Sequence, residues 1–342
     1  MVEGTKENRR MKMDLVKRGA NQAIRNCLNV RGDDKVTIIT DTETLDIGVS
    51  LLEEAKQITD DIKFFIAEDI GERPLKKLPK ELKEAITSST VGVLAMQGFK
   101  GELEKFRRPL LNLAENNNLR FANMININQQ MMEKGMSADY KKIQSFSKKV
   151  YETVKDAFHI EVKTRKGTNL IAEFSSEISW VVGDGLIKKG HWNNLPDGEV
   201  FTCPANVNGV AVIDGVLGDY FARKYGLLEQ KPLKVEIKEG RVVSALCSDK
   251  ELLEDFNAII KSDENAGRVG EFAIGTNIFI NELVGRLLQD EKYPGVHIAF
   301  GHGYPKKTGV KWKSKIHVDG VIKNPSIVVD GKKIMNYGEF LI

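Results

Sequence analysis

Hydrophobic and polar positions alternate in two ways along the first half of the chain. Short runs of apolar, often β-branched residues are separated by longer segments in which apolar residues recur every three or four positions. Buried parallel strands show the first pattern, and amphipathic helices show the second. The patterns predict strands at 35–40, 62–67, 91–96 and 121–127, and helices at 11–28, 44–57, 81–87 and 103–115, the last with a kink at Pro109. This alternation predicts an open parallel sheet with helices on both faces.

A different pattern follows Phe158, after a predicted amphipathic helix at residues 138–157. Short alternating segments separated by turn residues are typical of antiparallel sheets. They predict strands at 159–163, 169–174, 199–203, 209–214 and 315–322, a hairpin at 233–247, and helices near 250–262 and 279–289. A chain of 342 residues is long enough for two domains. We therefore predict an α/β protein with an N-terminal, open, mostly parallel α/β domain of the flavodoxin or Rossmann type at residues 1–157, and a C-terminal, mixed, largely antiparallel β-rich domain that carries the functional site at residues 158–342.

Composition and charge narrow the function classes. The formal net charge of +3 gives no electrostatic reason to expect a nucleic acid partner. No apolar run approaches the roughly 18 residues of a membrane span, and the N-terminal segment lacks the apolar core of a signal peptide. The first predicted strand is followed by TDTET instead of a glycine-rich phosphate loop. The three cysteines are far apart, so disulfides are not expected. We predict a soluble, cytoplasmic protein with no nucleic acid or membrane partner.

Candidate chemistry is concentrated in residues 294–320. Three of the five histidines lie there, His297, His302 and His317, together with Tyr304 and Asp319. In a strand, His317 and Asp319 point to the same face, and imidazole and carboxylate groups are ligands of divalent metals. Two glutamates that follow glycine turns supply the further carboxylates that a pair of ions requires, Glu199 in LPDGEVF and Glu271 in RVGEFA.

Taken in order, these motifs resemble a known series. LPDGEVF, RVGEFA, HIAFGHGYP and KIHVDG, followed by NPSIVVDGKKIMNYGEF, are similar to the metal-binding and C-terminal segments of the aminopeptidase T and aminopeptidase S family. The resemblance implies a homodimeric metallo-aminopeptidase with two divalent ions per subunit, Zn, Co or Mn, acting on short peptides. The implied metal ligands are Glu199, Glu271, His297, Tyr304, His317 and Asp319.

The chemistry of such a set is consistent with this family. The implied catalytic residues are Glu199, Glu271 and Tyr304, with Glu271 favoured as the carboxylate that bridges the ions. Three carboxylates and one hydroxide balance two divalent ions, and ions about 3.5–4 Å apart activate a bridging water and polarise a scissile carbonyl. Tyr304 is either a metal ligand or a hydrogen-bond donor to the developing oxyanion. The α-amine of a peptide has either a metal or a carboxylate as its partner.

Two other functions remain open at this point. One is a mononuclear Fe(II) ring-cleaving dioxygenase similar to the dihydroxypyridine dioxygenases, and the other is a non-catalytic metal-binding protein. The chain has no HExxH or GxSxG motif, which disfavours other hydrolases. Lesser candidates are His191 as an acid–base group and His302 as a support for the ligands, whereas Cys203 is expected to be a small buried apolar residue.

Overall fold

The computed structural model describes residues 13–342, which group into two units. The first contains residues up to Lys142 and the segment Gly185–Asp197, and the second contains Ile143–Asp184 and Gly198–Ile342. The prediction divides the chain once, at residue 157, whereas in this grouping residues 143–157 lie in the second unit and residues 185–197 lie in the first. Of the helix predicted at 11–28, residues 11 and 12 lie outside the described part of the chain.

The first unit is built on five parallel strands. Their order across the sheet is Ile62–Ile66, Val36–Thr40, Val91–Met96, Arg120–Ile125 and His191–Asn194. The first four are the predicted strands, and every residue of Val36–Thr40 and Val91–Met96 is buried. The fifth strand was not predicted, since its sequence HWNN lacks an apolar run.

Helices accompany these strands as the apolar periodicity predicts. Residues 13–21 are α-helical and continue as a π-helical turn, Gln22–Cys27. A π-helical turn, Leu103–Arg107, precedes the α-helix Arg108–Asn116, which has Pro109 in its first turn. The other helical segments of the first unit are Leu45–Ala55, Ala67–Ile70, Lys80–Thr87, Gln129–Met131 and the π-helical Met132–Met136. The helix Tyr140–Val154 begins in the first unit and continues in the second.

The second unit contains two antiparallel sheets. The larger has eight strands in the order Arg241–Leu246, Leu233–Lys238, Asn206–Ile213, Asn169–Glu173, His159–Lys163, Ser326–Val329, Lys332–Asn336 and Glu339–Phe340. The smaller has five strands in the order His317–Ile322, Gly295–Gly301, Val269–Gly275, Glu199–Thr202 and Val181–Gly183. Helical segments of this unit are Asp219–Tyr225, Lys250–Ile259, Leu287–Asp290 and Pro305–Thr308.

The helix predicted near residues 279–289 is wrong. Only Leu287–Asp290 is helical there. The carboxylate of Asp290 accepts hydrogen bonds from the backbone N–H groups of Val284, Gly285 and Arg286. Because these groups bond to a side chain, and because Gly285 has a positive φ of 74°, the chain forms an anchored loop instead of a helix.

The core of the second unit explains why one face of the smaller sheet is available for chemistry. One side of this sheet contributes buried apolar side chains to a core that it shares with the larger sheet. Its members include Val200, Phe272, Ile274, Val296, Ile298, Phe300, Val318 and Ile322. Since side chains alternate along a strand, the residues between them point to the opposite face. Among residues 13–342, no helix has both the length and the apolarity needed to cross a membrane.

Candidate metal centre

The register of the smaller sheet brings five of the six predicted ligands to one face. Glu271 is paired with Ala299, and Ala299 is paired with Asp319. The other pairs on this face are Glu199 with Gly275, Ala273 with His297, His297 with Val321, and Gly301 with His317. Paired residues on neighbouring strands point to the same side of a sheet. Four strands that are distant in sequence therefore present their polar residues together.

Small residues separate the predicted ligands on this face. They are Ala273, Gly275, Ala299 and Gly301. Directly opposed side chains on neighbouring strands are about 5 Å apart. Ala299, between Glu271 and Asp319, therefore leaves room above it for an ion bound to both carboxylates.

Replacing Ala299 by leucine is expected to remove metal from the site. The longer side chain would occupy the volume between Glu271 and Asp319 and also cost about 1–3 kcal/mol through overpacking. Elemental analysis after reconstitution measures the loss, with circular dichroism to confirm folding. Ala299→Gly is the matched control and should keep the metal content of the wild type. Equal metal content in the leucine variant would contradict this account of the face.

The first group of candidate ligands consists of Glu199, Glu271 and His297. The Nε2 atom of His297 lies 3.2 Å from Glu271 Oε1 and 3.4 Å from Glu199 Oε2. These side chains are 1%, 5% and 12% exposed for His297, Glu271 and Glu199. Glu199 Oε2 is buried and accepts no hydrogen bond. A buried carboxylate oxygen in this state fits a site for a cation.

The second group of candidate ligands consists of Glu271, His317 and Asp319. The Nε2 atom of His317 lies 3.0 Å from Asp319 Oδ1 and 3.6 Å from Glu271 Oε2. Its Nδ1 atom lies 2.8 Å from the carbonyl oxygen of His302. When Nδ1 donates to that carbonyl, Nε2 is left as the atom that binds a metal. His302 thus supports a ligand through its backbone.

Glu271 belongs to both groups. Its Oε1 atom is next to His297, and its Oε2 atom is next to His317. In each group one ligand atom per residue can be chosen so that all lie within 4.8 Å of one another. This arrangement fits a carboxylate that is shared between two cations, and it places the predicted bridging residue at the centre.

Tyr304 lies beside the second group. Its ring centroid is 4.7 Å from that of His317 and 5.8 Å from that of Phe201. Its backbone is left-handed, with φ 52° and ψ 58°, an uncommon conformation for a residue with a large side chain. The strained turn directly after the strand Gly295–Gly301 brings the ring of Tyr304 to His317.

The pKa shifts of the two histidines show that the site favours positive charge. Burial by itself would lower the pKa of His297, but the hydrogen bond that His297 donates to Glu271 and the charge of Glu199 raise that pKa to about 9. Burial also opposes protonation of His317, yet Asp319 and Glu271 raise its pKa to about 10. Without metal, protons on these imidazoles compensate the carboxylates. Metal binding must displace such protons, because only neutral imidazole is a ligand.

The pKa values of Glu271 and Asp319 are shifted in opposite directions. Burial raises the pKa of Glu271. Burial also acts to raise the pKa of Asp319, but the charge and hydrogen bond of His317 lower it to about 2. Tyr304 has a pKa well above its ordinary value because of burial and the nearby Glu271 and Asp319 charges. Its phenol therefore keeps its proton at neutral pH.

Two residues of the site were not predicted, Glu291 and Lys292. The Nζ atom of Lys292 lies 2.7 Å from Glu199 Oε1 and 2.7 Å from Glu291 Oε1, and the lysine side chain is 2% exposed. Burial raises the pKa of Glu291 to about 8 although Lys292 acts against this shift. In the sequence, QDEKYPG has the composition of a solvated turn, so nothing indicated that these charges are buried.

Neither His191 nor Cys203 belongs to the two groups of candidate ligands. His191 is exposed on the strand His191–Asn194 of the first unit. Cys203 is buried, as predicted, and burial raises the pKa of its thiol to about 12, which makes it a poor nucleophile at neutral pH.

The donor set fits a divalent metal. Two imidazole nitrogens and three carboxylates converge in a buried place, and one carboxylate oxygen there accepts no hydrogen bond. Nitrogen and oxygen ligands of this kind suit zinc, cobalt and manganese. The predicted dependence on a divalent metal is consistent with this geometry.

Comparison with known proteins decides the family. The family model described as thermophilic metalloprotease (M29) matches residues 113–340, a range that includes all six predicted ligands. The chain belongs to this metalloprotease family. It is therefore a metal-dependent peptidase, and the predicted family and enzyme class are confirmed. No curated protein matches the sequence.

Two solved structures share the fold of this M29 chain. AmpT from Thermus thermophilus superposes with a TM-score of 0.72 at 17% identity, covering 96% of this chain and 99% of that chain. A 2,5-dihydroxypyridine dioxygenase from Pseudomonas putida KT2440 superposes with a TM-score of 0.71 at 14% identity, covering 95% and 96%. At these identities the similarity shows the fold alone, and it confirms the predicted fold class.

Divalent metal is expected to raise the melting temperature of this M29 protein. A ligand that binds only the folded state stabilises it by about 2.7 kcal/mol at a concentration 100 times its Kd. Scanning calorimetry of protein treated with chelator, before and after addition of zinc, cobalt or manganese, measures the shift. Addition of excess chelator should reverse it. An unchanged melting temperature with each of the three metals would show that no ion binds preferentially to the folded state.

Proposed function

We propose that the protein is a two-ion aminopeptidase that removes the N-terminal residue of short peptides. The observation that carries this proposal is the position of Glu271, whose two oxygens belong to two separate groups of ligands. The M29 family match supports a peptidase reaction. Zinc, cobalt and manganese are the proposed ions, with Glu199, Glu271 and His297 holding one, and Glu271, His317 and Asp319 holding the other.

The side chains of the site have separate tasks in this reaction. Bound divalent ions supply Lewis acidity and a water of lowered pKa. Glu271 acts as the shared carboxylate and holds the two halves of the site in register. Tyr304 keeps its proton and is placed beside His317, where its phenol either completes the ligand set or donates a hydrogen bond to the peptide carbonyl oxygen. The carboxylates around the site provide acceptors for the α-ammonium group of a peptide.

The remaining parts of the proposal concern the cell and the assembly. The three cysteines form no disulfide, which is consistent with a reducing compartment such as the cytoplasm. The resemblance to the aminopeptidase T and aminopeptidase S family supports a homodimer. Size-exclusion chromatography with light scattering would test the dimer directly.

A mononuclear ring-cleaving dioxygenase is the second candidate. His317 with Asp319 provides a ligand pair for a single iron, and a dihydroxypyridine dioxygenase has the same fold, with a TM-score of 0.71. In such a dioxygenase, however, Glu199 has no function, although its Oε2 atom is buried and accepts no hydrogen bond. The two-ion peptidase uses this residue and is the better account of the site.

Metal analysis together with peptide hydrolysis tests the proposal. Protein reconstituted with zinc, cobalt or manganese is assayed on aminoacyl chromogenic substrates and on short peptides, with N-acetylated peptides as the matched control. The expected result is about two ions per chain and release of only the N-terminal residue from unblocked peptides. One iron per chain with oxygen consumption on a dihydroxypyridine would support the dioxygenase instead. Cleavage of acetylated peptides would contradict an aminopeptidase.

Replacing Tyr304 by phenylalanine is expected to lower kcat by about 10²–10³-fold, the usual cost of losing one donor to an oxyanion. The ring and its contacts with His317 and Phe201 are retained, so the variant removes only the hydroxyl group. Steady-state kinetics measures the effect, and metal content identifies the role. Two retained ions indicate a hydrogen-bond donor, and the loss of one indicates a ligand. Activity at the wild-type level would exclude both roles.

A further inference from the structure

Lys292 is a buried charge placed against a predicted metal ligand. Its side chain is 2% exposed, and its ammonium group lies between carboxylate oxygens of Glu199 and Glu291, 2.7 Å from each. A lysine is rarely buried unless it is paired, because removal of its charge from water is costly. Burial of this ammonium group beside Glu199 therefore costs the folded protein free energy.

The backbone of Lys292 is anchored on both sides. Its N–H donates to the carbonyl oxygen of Gln289, and its carbonyl oxygen accepts from the N–H of Asn277. Asn277 follows the strand that carries Glu271, and the N–H of the preceding Thr276 donates to Gly198, the residue before Glu199. The lysine, Glu199 and the Glu271 strand are thus connected by short backbone links. Such links fix the position from which the ammonium group acts.

The two oxygens of Glu199 have different environments. Oε1 is bonded to the ammonium group of Lys292 at 2.7 Å. Oε2 accepts no hydrogen bond and lies 3.4 Å from Nε2 of His297. An ammonium group on one oxygen orients the carboxylate and leaves the other oxygen free for a cation. The arrangement fits a carboxylate that binds metal through a single oxygen.

We propose that Lys292 is a positioning residue that fixes Glu199 as a one-oxygen ligand of the ion shared with His297 and Glu271. This inference rests on the proposed two-ion function. Lys292 acts through Glu199, which belongs to only one of the two groups of ligands. Its direct contact is therefore with a ligand of one ion, and we expect a smaller effect on the ion held by Glu271, His317 and Asp319.

Glu291 explains how a positive charge is accommodated next to a metal site. The carboxyl group of Glu291 lies 2.7 Å from the ammonium group of Lys292 and gives it a second acceptor besides Glu199. With two acceptors, the ammonium group is held in place although it is buried. It therefore orients Glu199 from a fixed position.

Titration with cobalt tests the role of Lys292. Metal-free wild type, Lys292→Met and Lys292→Gln are titrated with Co²⁺ while the visible absorption of bound cobalt is recorded, and both dissociation constants are obtained by competition with a chelator. In each variant, we expect the affinity for one ion to fall by about 10–100-fold, as for loss of a group that orients a metal ligand. The affinity for the other ion should change less than about threefold. The glutamine variant keeps a polar group at this position and serves if the methionine variant does not fold.

The matched control is Lys224→Met. The Nζ atom of Lys224 also lies between two carboxylates, 2.7 Å from Glu251 and 2.8 Å from Asp255, but neither is a predicted metal ligand. This variant should keep both dissociation constants of the wild type. An equal loss of affinity for both ions in the Lys292 variants, or no loss of affinity for either ion, would overturn the inference. A wild type that binds only one ion would instead refute the proposed two-ion function, so the two failures are distinguishable.

Discussion

Replacing Glu271 by glutamine is expected to lower kcat/KM for peptide hydrolysis by about 10³-fold or more, which corresponds to roughly 4 kcal/mol of lost transition-state stabilisation. Glutamine has nearly the same size, so the strand and its packing are retained. The variant loses the charge whose two oxygens lie next to His297 and His317. Both ions should bind more weakly, whereas loss of a ligand that belongs to only one group would lower the affinity for only one ion. Steady-state kinetics with metal analysis measures both effects.

The control for this prediction is Glu161→Gln, a change on the strand His159–Lys163 of the larger sheet, where the glutamate forms an ion pair with Lys163. It should leave activity and metal content unchanged. Activity of the Glu271→Gln variant within about tenfold of the wild type would contradict a shared carboxylate. Activity that returns at higher metal concentration would show that the defect lies in binding of the ions.

Replacing Phe272 by alanine is expected to destabilise the second unit by about 3–5 kcal/mol, the usual cost of removing a buried phenylalanine. Phe272 is fully buried on the face opposite Glu271. Its ring packs edge-on against Phe174 at 5.5 Å and Trp180 at 6.5 Å. Urea denaturation followed by intrinsic fluorescence and circular dichroism measures the change in midpoint. The polar side chains of the metal face are not altered by this substitution.

Phe158→Ala is the control for Phe272→Ala, because Phe158 is 77% exposed and its loss should change stability by about 0.5 kcal/mol or less. A destabilisation below about 1 kcal/mol in the Phe272 variant would show that the core under the metal face tolerates a cavity. In that event, the strand carrying Glu271 would be held by its backbone pairing with the strands of Glu199 and His297.

The comparisons illustrate why the site, and not the fold, carries the functional argument. A dihydroxypyridine dioxygenase and AmpT superpose on this chain almost equally well, with TM-scores of 0.71 and 0.72. A shared fold can support unrelated chemistry. The family match and the presence of Glu271 in both groups of candidate ligands distinguish the candidates, since both depend on particular residues.

Local patterns in the sequence were sufficient for most of the secondary structure. The strands Val36–Thr40 and Val91–Met96 are fully buried apolar runs, and helices such as Leu45–Ala55 have one apolar face. Each of these signals is contained within one element. The helix predicted at residues 279–289 failed because its apolar spacing was local, whereas the backbone bonds to the side chain of Asp290 depend on the fold of the loop.

The sequence by itself determined which residue types were available for a metal site, and the motifs around Glu199, Glu271, His297, Tyr304, His317 and Asp319 indicated their family. The tertiary structure decided that they converge, since strand register is a property of paired segments that are distant in the chain. It also decided that Ala299 leaves room between two carboxylates and that Lys292 is buried against Glu199. Burial and register arise only when separate strands pair, so no single stretch of sequence contains them.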